Sequence, residues 1–468
     1  MELTSVPLNR TARRPLSAAL GDWLSRQGRW IRVTQWVVVL CYAVLILVPA
    51  VLPLPDETAH VFTHLTVFAQ FVFWGIWWPF VLLSMVLVGR VWCGVLCPEG
   101  SLSEWASSKG LNRAIPHWMR WAGWPFVAFV GTTVYGQMVS VYQYPKAVLL
   151  VLGGSTLAAI VVGYVYGREK RVWCKYLCPV NGVFGLLSKL APLHYKVDAA
   201  AWRSSYGRTI RIKPINCAPL VAIRKMEGAS DCHMCGRCSG HRDAIALTVR
   251  SPNQEVVVQG EHLATGWQTL LILVGLLGIA LGAFQWTVNP HLGEAKQWLA
   301  EWLIERDIMW PFAENAPWWL LTHYPEQRDV FSWLDGGLLL TYLLGMGTVM
   351  GVGLALPLAW TTRLLGPWKT QRFYHLSQAL IPIAGIGVFL GLSALTINLL
   401  KAEGISVSWV SDMRILLLTV ANLWSLTLFA GVCERYAGTL ALRVTAVISV
   451  LPALLLIDYA WALTFWIW

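Results

Sequence analysis

The sequence predicts a membrane all-α protein of about nine transmembrane helices, with a duplicated helical hairpin and one small polar segment. Three observations predict it. Of 468 residues, 56% are hydrophobic and 13% charged, where a soluble domain carries about 25% charged residues. Nine apolar runs approach the roughly 20 residues that cross a bilayer: 33–53, 66–89, 123–143, 147–167, 267–286, 333–360, 375–400, 413–433 and 444–467. Finally, RVWCGVLCP at 90–98 returns as RVWCKYLCP at 171–179, each copy closing a pair of runs that goes out and comes back. The 28 tryptophans suit a chain with many crossings of the membrane–water interface.

These runs divide the chain into a basic arm (1–32), the duplicated hairpins (33–191), a polar segment (192–266), a fifth helix (267–286), a polar loop (287–332) and a four-helix block (333–468). With the N-terminus inside, 30 of the 36 Lys and Arg fall in inner segments and 5 in outer loops. The positive-inside rule therefore places the arm, both cysteine repeats and the polar segment in the cytoplasm, and the C-terminus in the periplasm. Arg13-Arg14 is not followed by an apolar stretch, since Asp22 and Arg26 intervene, so the arm does not read as an export signal. The net charge of +11 is accounted for by these loops and does not call for nucleic acid as a partner.

The polar segment contains CHMCGRC, residues 232–238. Three thiolates at this spacing on a short loop can reach three irons of one cubane. The usual fourth cysteine, before proline, is replaced by Arg242 and Asp243. Cys217, with Pro219 close behind, is the other cysteine of the segment. Cys217, Cys232, Cys235 and Cys238 are thus the expected ligands of one [4Fe–4S] cluster, in a ferredoxin-like iron–sulfur segment. Four thiolates also suit zinc, though zinc sites usually pair two separate Cys-x-x-Cys knuckles. His233 is expected to face solvent, and His241 is a weaker substitute ligand.

The repeated motif places Cys93 with Cys97, and Cys174 with Cys178, four residues apart. On a helix such pairs share a face, and the proline after each permits a turn or a new helix start. Packing the two hairpins side by side would gather the four sulfurs. Three roles are open: ligands of a second cluster or a metal ion, thiol–disulfide chemistry, or inert packing. Arg90 and Arg171 precede the pairs, and positive charge nearby favours thiolate.

Other residues say less. His60 and His64, four apart near the outer end of the second run, could face a quinone or haem, or be ordinary interfacial histidines. His291, His323 and His375 are isolated, and Cys41 and Cys433 lie within apolar runs. The stretch AKQWLAEWLIE (295–305) is amphipathic and suits a membrane surface or a partner. No nucleotide-binding fingerprint is present, so no catalytic residues are assigned.

Two Cys-x-x-x-Cys-Pro motifs at helix ends followed by a Cys-x-x-Cys-x-x-Cys loop resemble the NosR/NapH-type membrane polyferredoxins, over about residues 33–286. They also resemble the CcoG-type assembly factors of copper oxidases. The first resemblance implies a bacterial inner-membrane protein passing electrons between a cytoplasmic donor or the quinone pool and a membrane or periplasmic acceptor, with redox proteins as partners. The second implies a factor that reduces or delivers metal to a respiratory enzyme. A redox sensor is a third reading. This chain has one Cys-x-x-Cys-x-x-Cys motif where the polyferredoxins commonly have two complete ones, and its four-helix block lies outside the resemblance.

Overall fold

The structure, a computed structural model, describes residues 15–56, 58–207 and 214–468. Arg10, Arg13 and Arg14 of the basic arm lie outside the described residues. Eight helices are long and apolar enough to cross a membrane: Gly28–Val51, Leu65–Val88, Pro145–Tyr166, Gly266–Gln285, Trp333–Leu364, Thr370–Ala402, Val410–Glu434 and Leu440–Ile467. The remaining expected span, 123–143, is a shorter helix, Trp124–Met138. It stops because the chain turns sharply at Ser140, where φ is +50°. Together with the turn ahead of it, it lies alongside Gly266–Gln285. Trp121, three residues before the helix, packs on Trp267 at one end, and Trp286 Nε1 donates to Gln137 at 2.8 Å at the other. The fifteen helical residues themselves make about 22 Å.

Several helices begin where the sequence supplies a start signal. Ser332 and Asp335 form a reciprocal capping box ahead of Trp333–Leu364, satisfying backbone donors that the first turn leaves unpaired. Pro98, Pro125, Pro145, Pro290 and Pro382 occupy first-turn positions, where the missing N–H costs nothing. Gly89 ends Leu65–Val88 at φ +72°.

Helix Gly266–Gln285 is the axis of the molecule and the most buried of the eight. Leu271, Ile272, Leu276 and Leu277 join one large core with Leu187 of the second hairpin and with Met350, Leu380, Phe429 and Trp461 of the C-terminal helices. An added Cβ at Gly278 would stand 2.7 Å from the Gly347 Cα, so the two backbones nearly touch, as small residues allow between membrane helices.

The two hairpins are crossed rather than merely adjacent. Helix Pro98–Ser108, which follows the first motif, packs along the helix that leads into the second, Pro145–Tyr166. Leu111 N–H donates to the Tyr164 carbonyl at 2.7 Å and Arg113 N–H to that of Val165 at 3.0 Å. Conversely, helix Asn181–Ser188, following the second motif, packs on the helix leading into the first, through Val183, Phe184 and Leu187 against Val81, Leu82 and Met85.

The polar segment pairs strand Leu193–Val197 with Ile245–Val249 in antiparallel register, Tyr195 opposite Leu247. Helix Leu16–Arg26 of the arm lies on the second strand, and Ser239 Oγ donates to Asp22 at 2.8 Å. Between Gly266–Gln285 and Trp333–Leu364, the amphipathic stretch forms helix Pro290–Ile304, with Trp298 and Ile304 exposed.

The near contact at Gly278 gives a test. Gly278→Leu should lower the melting midpoint of the detergent-solubilised protein, since overpacking costs about 1–3 kcal/mol. Gly337→Ala, where an added Cβ meets nothing within 4 Å, should leave it unchanged.

Candidate iron–sulfur site

The two motif copies fold alike at their second cysteines. In each, the N–H of that cysteine donates to the carbonyl of the tryptophan five residues back, Cys97 to Trp92 at 2.8 Å and Cys178 to Trp173 at 3.0 Å. The expectation of one continuous helix face is thereby corrected. The second cysteine leaves the helix in a wide turn, because proline follows and disfavours helical geometry in the residue before it. Cys97 is extended and caps helix Pro98–Ser108, its Sγ accepting from Gly100 N–H at 3.4 Å.

The four cysteines nevertheless face a common space. Cys93, Cys97, Cys174 and Cys178 line one cavity of about 710 Å³, together with Glu99, Trp92, Trp173 and His233. Cys217 lies within electrostatic reach of Cys232, Cys235 and Cys238. The CHMCGRC loop turns tightly through left-handed Met234 and Gly236, and Cys232 Sγ accepts from Met234 N–H at 3.4 Å.

The two quartets abut. A Cβ on Gly94 would stand 2.0 Å from the His233 carbonyl oxygen and 2.9 Å from Cys235 N, so only glycine lets the first repeat lie directly on the iron–sulfur loop. This contact buries His233, which is 3% exposed, and corrects the expectation that it faces solvent. Burial, with Arg90, Arg171 and Lys175 nearby, pushes its pKa well below the usual range, so the ring is neutral. His241 instead packs on Trp202. His60 pairs with Glu403 at 3.4 Å, and His64 Nδ1 accepts from Thr66 N–H in its own helix cap. His375 is held between Tyr436 and the Val256 carbonyl, both at 2.8 Å.

Two buried arginines cross between the repeats. Arg90 Nη1 donates to the Ser230 carbonyl at 2.7 Å, and its Nη2 donates to Asn181 of the second hairpin at 2.5 Å while lying 3.9 Å from Cys93 Sγ. Arg171 reaches back to the carbonyls of Cys93 and Gly94. It also pairs with Glu104 at 2.7 Å, and Glu104 pairs with Arg237 of the loop at 2.6 Å. Their repetition at one offset before the cysteines was visible in the sequence. Their exchange between repeats was not, and nothing there singled out Glu104 or Gly94.

The residues fit an anionic cluster better than a lone ion. Among the described residues, no three His, Cys, Asp or Glu side chains converge enough to hold one metal ion, whereas zinc needs its sulfurs about 2.3 Å from a single point. Arg90 Nε, His233 Nδ1 and the Tyr195 hydroxyl are buried without a hydrogen-bond partner among the described residues, and all three stand beside the cysteines. Arg90 is 4% exposed and forms no ion pair among the described residues. A buried cation is costly unless an anion faces it, and thiolates around iron supply one. Burial pushes the Cys174 thiol up to about 12, against the opposing pull of Arg171. Cys238 is likewise raised to about 12 by burial and by the neighbouring Cys235. Binding iron must therefore expel protons from these groups.

Comparison with known proteins falls on the motif whose role the sequence left open. A 4Fe-4S binding domain matches residues 70–116 and 149–197, which contain the two Cys-x-x-x-Cys-Pro motifs. The chain is 22% identical over 228 residues to YccM of Escherichia coli (strain K12), whose name describes an electron transport protein, covering 43% of this chain and 62% of YccM. It is 27% identical over 193 residues to MauN, a methylamine utilization ferredoxin-type protein of Methylorubrum extorquens, covering 39% of this chain and 58% of MauN. The chain thus spans less than two thirds of the length of either relative. No solved structure matches it. The chain carries a 4Fe–4S binding domain in a multi-pass, largely helical membrane protein, and it is similar to proteins of electron transport.

Gly94→Ala should force the CHMCGRC loop off the first repeat. The expected result in the iron-free protein is faster maleimide labelling of Cys235 and faster amide exchange at Met234. Unchanged rates would mean that the contact is not needed to seat the loop.

Proposed function

We propose that the chain passes single electrons between the quinone pool and a redox protein through two [4Fe–4S] centres. One is held by Cys93, Cys97, Cys174 and Cys178, the other by Cys217, Cys232, Cys235 and Cys238. The observation that carries this reading is the backbone contact of Gly94 with His233 and Cys235, which sets the two quartets against each other across a single layer of peptide. A [4Fe–4S] centre supplies reversible one-electron storage when bound.

The chain's own residues suit that task. Arg90, Arg171 and Lys175 surround the junction and offset the added negative charge of reduction. Backbone N–H groups of Gly100 and Met234 point at Cys97 and Cys232, where they stabilise thiolate. The apolar bundle keeps water away and lets the fixed charges act at low dielectric.

The quinone belongs to the cavity. From the four cysteines it extends past Trp77, Trp78 and Phe129 to Val141 and Tyr142, beyond the far end of helix Trp124–Met138. An aromatic, mostly apolar cavity with a few polar groups at one end is the usual form of a small-molecule site. Glu99 stands at that end, accepting from Trp173 Nε1 at 3.2 Å. The distribution of Lys and Arg supports a cytoplasmic face for the arm, the cysteine repeats and the polar segment of a bacterial inner-membrane protein, with the C-terminus periplasmic. The positions of the apolar helices support the division into arm, hairpins, iron–sulfur segment, axial helix, outer loop and C-terminal block.

Iron and acid-labile sulfide on anaerobically purified protein test the reading. Two four-iron centres give about eight irons per chain, falling to about four in Cys93→Ser/Cys174→Ser and in Cys232→Ser. About four irons in wild type and in the first variant would reject the centre at the repeats. A decyl-quinol should reduce the wild-type centres. Trp77→Ala and Phe129→Ala should slow that reduction about tenfold while leaving reduction by dithionite unchanged.

A further inference from the structure

Arg171 is the residue that touches the most parts of the junction. It is 2% exposed and follows the helix that leads into the second motif. Its side chain donates to the carbonyls of Cys93 and Gly94 in the first motif. Its backbone N–H donates to the Ala218 carbonyl at 2.8 Å, next to Cys217. Its charge lies within electrostatic reach of Cys174, from one quartet, and of Cys235, from the other. Glu104 pairs with Arg171 on one oxygen and with Arg237 on the other, at 2.7 and 2.6 Å, so the triad keeps one net positive charge.

We infer that Arg171 is a shared positioning residue that sets the reduction potentials of both iron–sulfur centres together, with Glu104 limiting the size of its effect. This rests on the two-centre reading above. Each centre gains one electron on reduction and becomes more negative by one charge. A guanidinium fixed between them favours that added charge at both sites. In a buried setting this attraction is screened far less than in water. A single group thus raises both potentials in step, so that a change at Arg171 moves the two centres without opening a large gap between them. Arg90 instead faces Cys93 and the Ser230 carbonyl and forms no ion pair among the described residues, which distinguishes the two arginines despite their equal place in the repeat.

The test is an EPR-monitored potentiometric titration of the iron-loaded full chain, with iron and sulfide counted in each sample. Arg171→Gln should lower both midpoints by the equivalent of about a tenfold change in the reduction equilibrium, about 59 mV for one electron. Arg171→Lys keeps the charge but loses the planar fork that spans two carbonyls and Glu104. Its potentials should stay near wild type, which a merely structural role would not produce. Glu104→Gln frees the guanidinium from its carboxylate and should raise both midpoints. That variant decides the question if Arg171→Gln loses iron. A shift confined to one centre, or equal shifts in the Gln and Lys variants, would overturn the inference. About four irons per wild-type chain would instead sink the two-centre reading, before any potential is measured.

Discussion

The architecture around the cysteines depends on one exchange. Each hairpin gives its closing helix to the other: Pro98–Ser108 lies on Pro145–Tyr166, and Asn181–Ser188 lies on the end of Leu65–Val88. The arginines follow the same crossing, Arg171 to the first motif and Arg90 to the second hairpin. Separate hairpins would leave two sulfurs apiece at the edge of a membrane. Interlocked, they bring four to one cavity wall. Because apolar surface gives little drive for helices to associate within lipid, close packing and buried polar contacts must hold them. The crossed arginines supply such contacts at the place where the sulfurs need fixing.

Electrostatics makes that placement demanding. Arg90 and Arg171 are almost fully buried, and removing one partner from such a group is far more damaging than removing a surface pair. Arg171 shares Glu104 with Arg237, whereas Arg90 leans on neutral acceptors and on Cys93. The same region buries thiols whose charged forms burial disfavours. In the proposed site, excess cation and reluctant thiols would be complementary halves, since iron-bound thiolates would answer both. The buried polar atoms of Arg90, His233 and Tyr195 that have no hydrogen-bond partner among the described residues are consistent with this arrangement, since buried polar atoms otherwise find partners.

The C-terminal block, which no motif explained, has a structural role at least. Its helices share one core with Gly266–Gln285 and with Leu187 of the second hairpin. On the side facing the polar segment, Lys189 donates to Gln268 and Gln378 at 3.0 and 2.8 Å, and His375 accepts or donates at Tyr436 and Val256. These bonds tie the block to the base of the iron–sulfur segment. Val388 and Leu392 of the same block line the cavity beside the cysteines. The block therefore closes one wall of the space that the hairpins open.

Much was legible without coordinates. Apolar runs of membrane length, the charge asymmetry of the loops, the repeated Cys-x-x-x-Cys-Pro and the Cys-x-x-Cys-x-x-Cys spacing are local properties of the chain, so the helices and an iron–sulfur character could be read directly, while the role of the repeated cysteines stayed open among three. The limits were equally physical. Residue spacing suggested a shared helix face for Cys93 and Cys97, but the proline after Cys97 turns that residue out of the helix. His233 looked like a solvent residue in a polar loop and is buried, because Gly94 offers no side chain to hold the loop away. Helix Trp124–Met138 has fewer residues than hydropathy asks, because the turn at Ser140 closes it early. Which helix each hairpin gives to the other, which arginine reaches which motif, and that Gly94 lies against His233 and Cys235 are contacts between residues from tens to more than a hundred positions apart. Such contacts leave no local period or spacing in a sequence, and only the tertiary packing decides them.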